Sequence, residues 1–590
     1  MKKANRVLSL LLAIIFISSA VTIMSPCANA IQTLENSTDS KVSIDYNDPN
    51  WYEDGVTMVD CDPDWPVYYM YDSEMTKENI LSAADRYFEM MFDNSSITDM
   101  SFCIFEQLSF VDSQTMDWEF RKVAQGQQGT IFPESISWYA GRVVEMYNAY
   151  TQYDLDWAQV CIDHCKQAGV RPWVYLRMND MHGINDPDSV LHDSFFYEAK
   201  ENGWLIGDKG YGSPPGNSQD IAYVYDFAHE EVREWMLNYI EEMFMRYDCF
   251  GYELDFMRNI YCFDYLNTTG YQEYMNDFIR KVNAIVEKAE EKHGHDIKLL
   301  VRLGHSVEDN YIYGFDVATW VKEDLVDALV PSCEEVINSD LNIPEWREVL
   351  GDNVALLAGL DDHLVAGSYP DSGVDIRRPQ VKHLKGYYAS FVSQGADGCY
   401  FNNFYKEDTL KRLGKTSVTE GLRTFMVTYQ DITPIGSEKY DPLPLNVGKT
   451  GLKGTDFNID MGVIRKGEYV YLTVSYFGKE LKDIKTKITL NGNKPVEVKK
   501  VTVTNDDITG HYCHDLEIEG TTLRYCFDKF STNGEVRIHF TDNRSDCKVM
   551  YLDLTVNDEK IDNGACCVAK YPFACFYNAI YNFLFGWIRH

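Results

Sequence analysis

Two carboxylates stand two residues apart inside the apolar segment FGYELDFMR, residues 250–258. Because side chains alternate along a β-strand, Glu253 and Asp255 share one face of the predicted strand, while Tyr252 and Leu254 share the other. Paired carboxylates serve general acid, general base or nucleophilic chemistry when their surroundings separate their pKa values. The alternative is a pair that only forms salt bridges inside the fold, since buried charges require partners.

Polar side chains also end the neighbouring apolar runs. In RPWVYLRMNDMH, residues 171–182, alternation places Arg177 and Asn179 on one face, and Asp180 and His182 follow directly. An arginine close to a carboxylate favours the charged form of that carboxylate. Such a polar set, poor in lysine, suits a neutral hydroxylated ligand more than a phosphate. Other runs end near Arg302, His305, Ser332, Glu334, Glu335, Asp361, Asp362, His363, Asn402 and Asn403.

Glycoside hydrolysis is the reaction that these carboxylates fit best, because it needs two of them on either side of one bond. Glu253 and Asp255 lie on one strand, so we expect both to serve one side of the bond. The second member then comes from another strand end. Glu334 and Asp362 are the first candidates, with Glu335 and Asp361 behind them, and spacing does not choose among them.

A (β/α)8 barrel would bring these strand ends together. Short apolar runs alternate with helical patterns between residues 65 and 435, which is typical of βα units around a parallel sheet. Barrel active sites form at the carboxyl ends of the strands. A doubly wound sheet is the alternative, but no glycine-rich turn follows the first run. The eight predicted strands are 65–71, 100–107, 171–178, 250–256, 298–304, 327–332, 353–360 and 398–404.

The segment from His182 to Ala222 is long and rich in glycine and proline. It follows the third predicted strand, so it would lie over the barrel mouth, where long loops are usually functional. Trp204 within it could stack on a sugar ring. The alternative is a surface excursion without a binding role.

The remaining segments predict an exported chain of several parts. Residues 1–30 combine basic residues, an apolar run and Ala28-Asn29-Ala30, which is typical of a bacterial signal peptide; a membrane anchor is the alternative. An N-terminal extension covers 31–64. Residues 440–557 show alternating patterns with turns, which predict a smaller antiparallel β-sandwich. The apolar tail 558–590 is interpreted as a surface-associating or partner-packing segment.

Composition narrows the choice of partners. The formal charge of −37 argues against nucleic acid and anionic membranes, and we expect no nucleic-acid partner. Fifteen cysteines show no repeated CxxC spacing. A zinc site at Cys161 and Cys165 is a minor alternative to buried thiols on a helix. Candidates for disulfides are Cys513, Cys526 and Cys547.

The segment RPWVYLRMNDMH, followed by YDFAHEEVREWMLNYIEEMFMRYDCFGYELDFMR, resembles the uncharacterised, family-10-like glycoside-hydrolase barrels of bacteria. In those proteins a "pevr" helix and an "rYdvDGIelDfmR" strand form the recognisable block. The resemblance extends over residues 65–430 and is most specific around the third and fourth strands. It implies a (β/α)8 barrel and carbohydrate hydrolysis. A wider similarity to the amylase-like clans implies that Asp255 is the nucleophile.

The leading prediction is a secreted or cell-surface bacterial glycoside hydrolase that acts on a carbohydrate without a cofactor. One alternative is a non-catalytic carbohydrate-binding surface protein. A third is a metal-dependent hydrolase that uses Asp180, His182, Asp255 and His305. We assign Asp255, Glu253, Glu334 and Asp362 to catalysis, and Arg177, Asn179, Asp180, His182, Trp204, Arg258, His305 and Asn402 to substrate binding.

Overall fold

The computed structural model describes most of the chain between residues 43 and 561. The described residues are 43–62, 74–106, 108–117, 137–180, 192–209, 223–257, 259–264, 270–333, 336–366, 374–377, 379–404, 410, 421–428, 443, 445–448, 453–502, 520–542 and 547–561.

Eight parallel strands close into a barrel, in the order β1-β10-β7-β6-β5-β4-β3-β2. This arrangement confirms the predicted (β/α)8 architecture. A two-stranded hairpin, β8 and β9, follows β7. The bounds are β1 Val56–Cys61, β2 Asp99–Phe105, β3 Arg171–Arg177, β4 Gly251–Asp255, β5 Lys298–Gly304, β6 Ala328–Ser332, β7 Ala355–Leu360, β8 His363–Ala366, β9 Val374–Arg377 and β10 Gly398–Phe401.

The first barrel strand differs from the prediction. The run at 65–71 lies outside the described residues, and β1 lies within the segment 31–64 that the sequence assigns to an extension. The barrel therefore begins before residue 65. The other predicted strands coincide with β2 to β7 and β10 to within a few residues.

Helices cover the outside of the barrel, and several have clear end signals. Asp156 caps α3 by accepting a hydrogen bond from the Gln159 N–H, and Gly169 ends it in a left-handed conformation. No helix among the described residues is long and apolar enough to cross a membrane. The bounds are α1 Lys77–Phe92, α2 Ser137–Tyr153, α3 Trp157–Ala168, α4 Ser194–Asn202, α5 Glu230–Arg246, α6 Gln272–His293, α7 Val307–Ile312, α8 Val317–Lys322, α9 Ile343–Leu350 and α10 Val381–Gln394, with short 3₁₀ turns at Ile206–Lys209 and Leu481–Asp483.

Aromatic rings close the amino ends of the strands beside the Arg171–Asp99 ion pair, and polar side chains lie at the carboxyl ends. Trp51, Trp173 and Phe250 close the lower end, with ring centroids 5.5–5.6 Å apart. Gly251 leaves room for this cluster, because a Cβ there would lie 2.1 Å from the Trp173 ring. Glu253 and Asp255 follow Gly251 on the same face of β4, toward the upper end.

An antiparallel β-rich region follows the barrel. One sheet has the order β11-β19-β14-β17-β16, with β12 beside β19, and the other has the order β13-β18-β15. Both sheets contribute to one buried apolar cluster. The bounds are β11 Arg423–Met426, β12 Leu445–Asn446, β13 Thr455–Ile464, β14 Tyr469–Tyr476, β15 Lys487–Leu490, β16 Glu497–Val501, β17 Thr521–Phe527, β18 Thr532–Thr541 and β19 Lys548–Asn557.

This region begins earlier than predicted. Strand β11 pairs with β19, so the sheet takes in residues that the sequence assigns to the barrel, before position 440. Helix α10 of the barrel packs against both β11 and β13. The helix thus joins the barrel to both sheets.

Candidate active site

Asp255 and Arg302 form a buried ion pair at the upper end of the barrel. The two residues are register partners on β4 and β5, and Arg302 Nη1 lies 3.1 Å from Asp255 Oδ2. The other carboxylate oxygen accepts a hydrogen bond from the Met257 N–H at 2.8 Å. Arg302 on the neighbouring strand and the Met257 N–H just after β4 therefore hold the two carboxylate oxygens of Asp255.

Arg302 also binds groups from three other strands. Its guanidinium donates to Asn402 Oδ1 at 2.9 Å and to Ser332 Oγ at 3.1–3.2 Å. Asp361 Oδ2 lies 3.8 Å from Nη2 and accepts a hydrogen bond from Asn402 Nδ2 at 2.6 Å. Carboxylates from β4 and from the end of β7 therefore flank one arginine.

Glu253 lies one layer below Asp255 on the same face of β4 and is fully buried. Ser101 donates a hydrogen bond to Glu253 Oε2 at 2.6 Å. Burial and repulsion by Asp255 raise the pKa of Glu253 to about 8. Glu253 is therefore mostly protonated at neutral pH, whereas its neighbour Asp255 is ion-paired.

Arg177 is the buried centre of a second cluster, beside β1 and β2, in which the Asp62 and Glu106 carboxylates are partly exposed. Its guanidinium contacts Glu106, and it lies 2.5 Å from Asp62 Oδ1 and 3.9 Å from Asp180 Oδ2. Tyr175 donates to the same Asp62 oxygen at 2.9 Å. Arg177 is thus engaged by carboxylates of its own neighbourhood, and Asp255 pairs with Arg302 instead.

Asn179 and Trp204 are held by protein groups. The Asn179 amide accepts from the Tyr225 N–H at 3.2 Å and donates to the backbone carbonyls of Tyr225 and Tyr261. This places Asn179 as a support of the loops after β3 and β4. Trp204 stacks on Phe195 with centroids 5.9 Å apart, in an aromatic cluster beside α4.

The remaining predicted residues have different positions. His305 follows β5, and burial lowers its pKa to about 4, so the ring is neutral. Asp362 is half-buried after β7, and its N–H donates to Asp361 Oδ1 at 2.7 Å. His182, Arg258, Glu334 and Glu335 lie outside the described residues, as does most of the segment 182–222.

The structure adds residues that the sequence analysis does not assign. They are Asp60, Asp62, Glu106, Arg302 and Tyr400. Alternation could have found Tyr400, because it shares a face with Asn402 two residues later. Asp60 belongs to β1, which the sequence analysis does not recognise. Its carboxyl is buried, and burial together with repulsion by Asp62 raises its pKa well above the usual range.

The predicted metal ligands do not form a cluster among the described residues. The group with ligand spacing there is Asp62, Cys103 and Glu106. The Arg177 guanidinium already binds both carboxylates of this group. A fixed positive charge at that place opposes a cation, so these residues do not fit a metal site.

The cysteine candidates resolve as buried thiols where the structure describes them. Cys161 is buried, and Cys165, Cys526 and Cys547 are buried free thiols. His164, between the first two, bonds to the Val160 carbonyl and to Asp85. Cys513 lies outside the described residues.

The sequence matches no protein-family model and no curated protein. Among solved structures, the chain is similar to a Paenibacillus sp. cycloisomaltooligosaccharide glucanotransferase, with a TM-score of 0.29 and 9% identity over 87% of this chain and 58% of that one. It is similar to chitinase ChiW from Paenibacillus sp., with a TM-score of 0.36 and 9% identity over 84% and 56%. A third is the GH36 alpha-galactosidase AgaA from Geobacillus stearothermophilus, with a TM-score of 0.31 and 12% identity over 84% and 56%.

These neighbours are carbohydrate-active enzymes, and the chain spans less than two thirds of the length of each of the three. Likenesses of this strength do not bear on activity or substrate.

Proposed function

We propose that the protein is a glycoside hydrolase that cleaves O-glycosidic bonds of a poly- or oligosaccharide with carboxylates at the barrel mouth. The observation that carries the proposal is the contrast between two neighbouring acids on β4. Asp255 is ion-paired with Arg302, while burial and Asp255 itself keep Glu253 mostly protonated. A neutral Glu253 leaves the Asp255–Arg302 pair as the charged group at the end of β4, and a charged carboxylate at a barrel mouth suits a nucleophile or a stabiliser of positive charge.

The proposed division of roles follows from depth in the barrel. Asp255, at the end of β4, is the nucleophile or the stabiliser of positive charge on the sugar. Glu253 is fully buried one layer lower, so it acts on Asp255 rather than on the substrate. The general acid is then Glu334 or Asp362, from the ends of β6 and β7. The proposal includes a relationship to the family-10-like glycoside hydrolases that the sequence resembles.

A glycan screen with two matched variants tests this function. The mature protein is incubated with polysaccharides and aryl glycosides beside Asp255→Asn and Asp296→Asn. Asp296 lies at the opposite end of the barrel and is more than half exposed, so its substitution should leave turnover unchanged. Asp255→Asn should lower turnover by about 10²-fold or more, as expected for a group in the reaction itself. Unchanged turnover in folded Asp255→Asn would contradict the assignment.

One observation favours a second candidate, a carbohydrate-binding surface protein without activity. Both β4 acids are buried, and the Asp255 oxygens already bind Arg302 and the Met257 N–H. A barrel mouth held together in this way can persist without catalysis. Glycan affinity that survives in Asp255→Asn, with no turnover in either protein, would establish this candidate.

We also propose that the chain is exported from a bacterium and that its apolar tail, 558–590, contacts the cell surface. The support is the basic and apolar pattern of residues 1–30 and the composition of the tail. N-terminal sequencing of the protein recovered from its native host tests export, because cleavage after Ala30 leaves Ile31 as the first residue. Fractionation of a variant that ends at Asn557 tests the role of the tail.

A further inference from the structure

Among the buried polar atoms of the described residues that have no hydrogen bond, two lie close together inside the barrel. They are Glu253 Oε1 and Tyr400 Oη, and both residues are fully buried. A buried polar group without a partner destabilises the folded state, so such groups in a native structure call for a reason. Because Glu253 Oε1 and Tyr400 Oη lie in one interior layer, each is a candidate for the other's missing hydrogen-bond partner.

The two groups act on each other electrically. Burial and repulsion by Asp255 raise the pKa of Glu253, whereas the Ser101 and Tyr400 hydroxyls lower it. The Tyr400 hydroxyl has this effect although its position falls short of hydrogen-bond geometry. Burial contributes most to the raised pKa of Tyr400, and the charge of Glu253 is the next largest contribution. The carboxyl and the phenol are therefore direct neighbours.

Both protonation states of this pair can be satisfied by one bond. A neutral Glu253 donates its proton to Tyr400 Oη, and an ionised Glu253 accepts the phenol proton of Tyr400. Ser101 occupies the other Glu253 oxygen in either case. No proton has to enter or leave the barrel for the bond to form.

Three charged or titratable groups surround the pair. Asp255 and Asp60 raise the pKa of the phenol, and Arg302 lowers it. The Arg302 guanidinium lies over the Tyr400 ring, 5.4 Å from its centroid, and pairs with Asp255 at 3.1 Å. Arg302 thereby links the ring of Tyr400 to the carboxylate proposed to react.

We propose that Tyr400 is a positioning residue whose hydroxyl shares a hydrogen bond with the Glu253 carboxyl directly behind Asp255. This inference rests on the proposed function for its catalytic meaning. A neutral Glu253 leaves Asp255 as the single negative charge of β4 beside Arg302. When the charge of Asp255 is lost, the repulsion that keeps the proton on Glu253 is lost with it, so the pair reports the state of Asp255.

The pair can be tested without any substrate. Glutamate side chains are labelled with ¹³C, the Glu253 signal is assigned with Glu253→Gln, and its titration is followed by NMR. Tyr400→Phe should move the Glu253 midpoint upward by about half a pH unit or more, because a group that favours the ionised form is removed. Asp255→Asn should move it downward. Tyr387→Phe is the matched control, since its buried hydroxyl donates to the Met426 carbonyl and not to the site.

The outcomes separate this inference from the proposed function. A Glu253 midpoint that is the same in the wild type and Tyr400→Phe overturns the pairing, whether or not the protein cleaves glycans. If Tyr400→Phe does not fold, ¹³C-labelled tyrosine in the wild type decides, because a Tyr400 signal that does not change as Glu253 titrates also overturns the pairing. Where turnover exists, Tyr400→Phe should shift the pH profile of kcat, a change that a purely structural tyrosine would not cause.

Discussion

At the scale of single residues, Arg302 is the buried positive charge that pairs with Asp255 and Asp361 at the barrel mouth. It is buried, and its partners come from β4, β6, β7 and β10. Removing one member of a buried ion pair leaves the other charge without compensation, which typically costs about 3–5 kcal/mol. The position of Asp255 therefore depends on contacts that span half of the barrel.

The protonation of Glu253 predicts a pH dependence of stability. Burial and repulsion by Asp255 raise its pKa to about 8, so between about pH 4.5 and 8 the folded state binds more protons here than the unfolded state does. The free energy of unfolding should then fall as pH rises through this interval, by up to about 1.4 kcal/mol per pH unit. Glu253→Gln removes this loss. Urea unfolding should show the variant gaining stability relative to wild type between about pH 5 and 8.

Glu242 provides a control of opposite sign. Burial acts to raise its pKa, but hydrogen bonds from Gln114, Ser113 and Thr115 and the charge of Arg246 give a net decrease. This group stabilises the fold above its unfolded pKa, so Glu242→Gln should cost stability at neutral pH and less in acid. A Glu253→Gln variant that behaves like Glu242→Gln would contradict a raised Glu253 pKa.

Alternation identified the acids of β4 but not their partners. The period of two follows from local backbone geometry, so Glu253 and Asp255 could be placed on one inward face from sequence. Arg302 and Tyr400 meet them only through the closed order of strands, across separations of about fifty to one hundred and fifty residues in the chain. A single sequence contains no direct signal for such contacts.

At the scale of elements, strand β4 depends on a glycine. A Cβ at position 251 would lie 2.1 Å from the Trp173 ring and 2.7 Å from the Lys298 carbonyl. Gly251→Ala should therefore destabilise the barrel by about 1–3 kcal/mol or more, because a well-packed interior does not absorb an added methyl group. Urea unfolding followed by tryptophan fluorescence measures the loss.

Gly203→Ala separates this packing effect from backbone strain. Gly203 ends α4 with φ +74, and an added Cβ would meet nothing within 4 Å. Its substitution should cost about 1 kcal/mol through conformation alone. Trp173→Phe should recover part of the loss in Gly251→Ala and none in Gly203→Ala. Equal recovery in both backgrounds would show that the Trp173 ring is not the obstacle.

The element pattern was predictable where strands are apolar and bounded by helices. Strands β2 to β7 and β10 satisfy both conditions, since buried parallel strands are covered on both faces. Strand β1, VTMVDC, contains the acidic residue Asp60. A more apolar run follows it in the sequence at 65–71, so the prediction assigned the first strand to that run instead. Strand β11 has four residues, and its pairing with the distant β19 is what defines it.

At the scale of the whole molecule, the barrel and the β-rich region meet through α10 and β11. Gly386 on α10 has no side chain where the Thr424 carbonyl approaches, since a Cβ would lie 2.1 Å from that oxygen. Next to Thr424, Arg423 is buried and pairs with Glu468 at 2.8 Å. Arg423 also donates to the Val463 carbonyl of β13. One arginine therefore binds groups from both sheets beside the helix of the barrel.

This junction predicts that the barrel and the β-rich region unfold together. Arg423→Ala should lower the free energy of unfolding by about 3–5 kcal/mol, because Glu468 is left buried without its partner. Tryptophan fluorescence reports mainly on the barrel, since ten of the eleven tryptophans precede residue 421 and the other is Trp587 in the tail. Hydrogen exchange at the Leu472 amide of β14 reports on the sheets. Both probes should move to the same lower urea midpoint.

Two further variants decide whether the coupling passes through this pair. Lys499→Ala removes one side of the exposed pair with Glu497 on edge strand β16, and should change neither midpoint, because exposed pairs contribute little. The double variant Arg423→Met with Glu468→Gln removes both charges, so it should be more stable than Arg423→Ala. If Arg423→Ala moves the Leu472 probe and leaves the tryptophan midpoint in place, the two regions unfold separately. The substitution would then act within the sheets alone, and α10 would not transmit the stability of one region to the other.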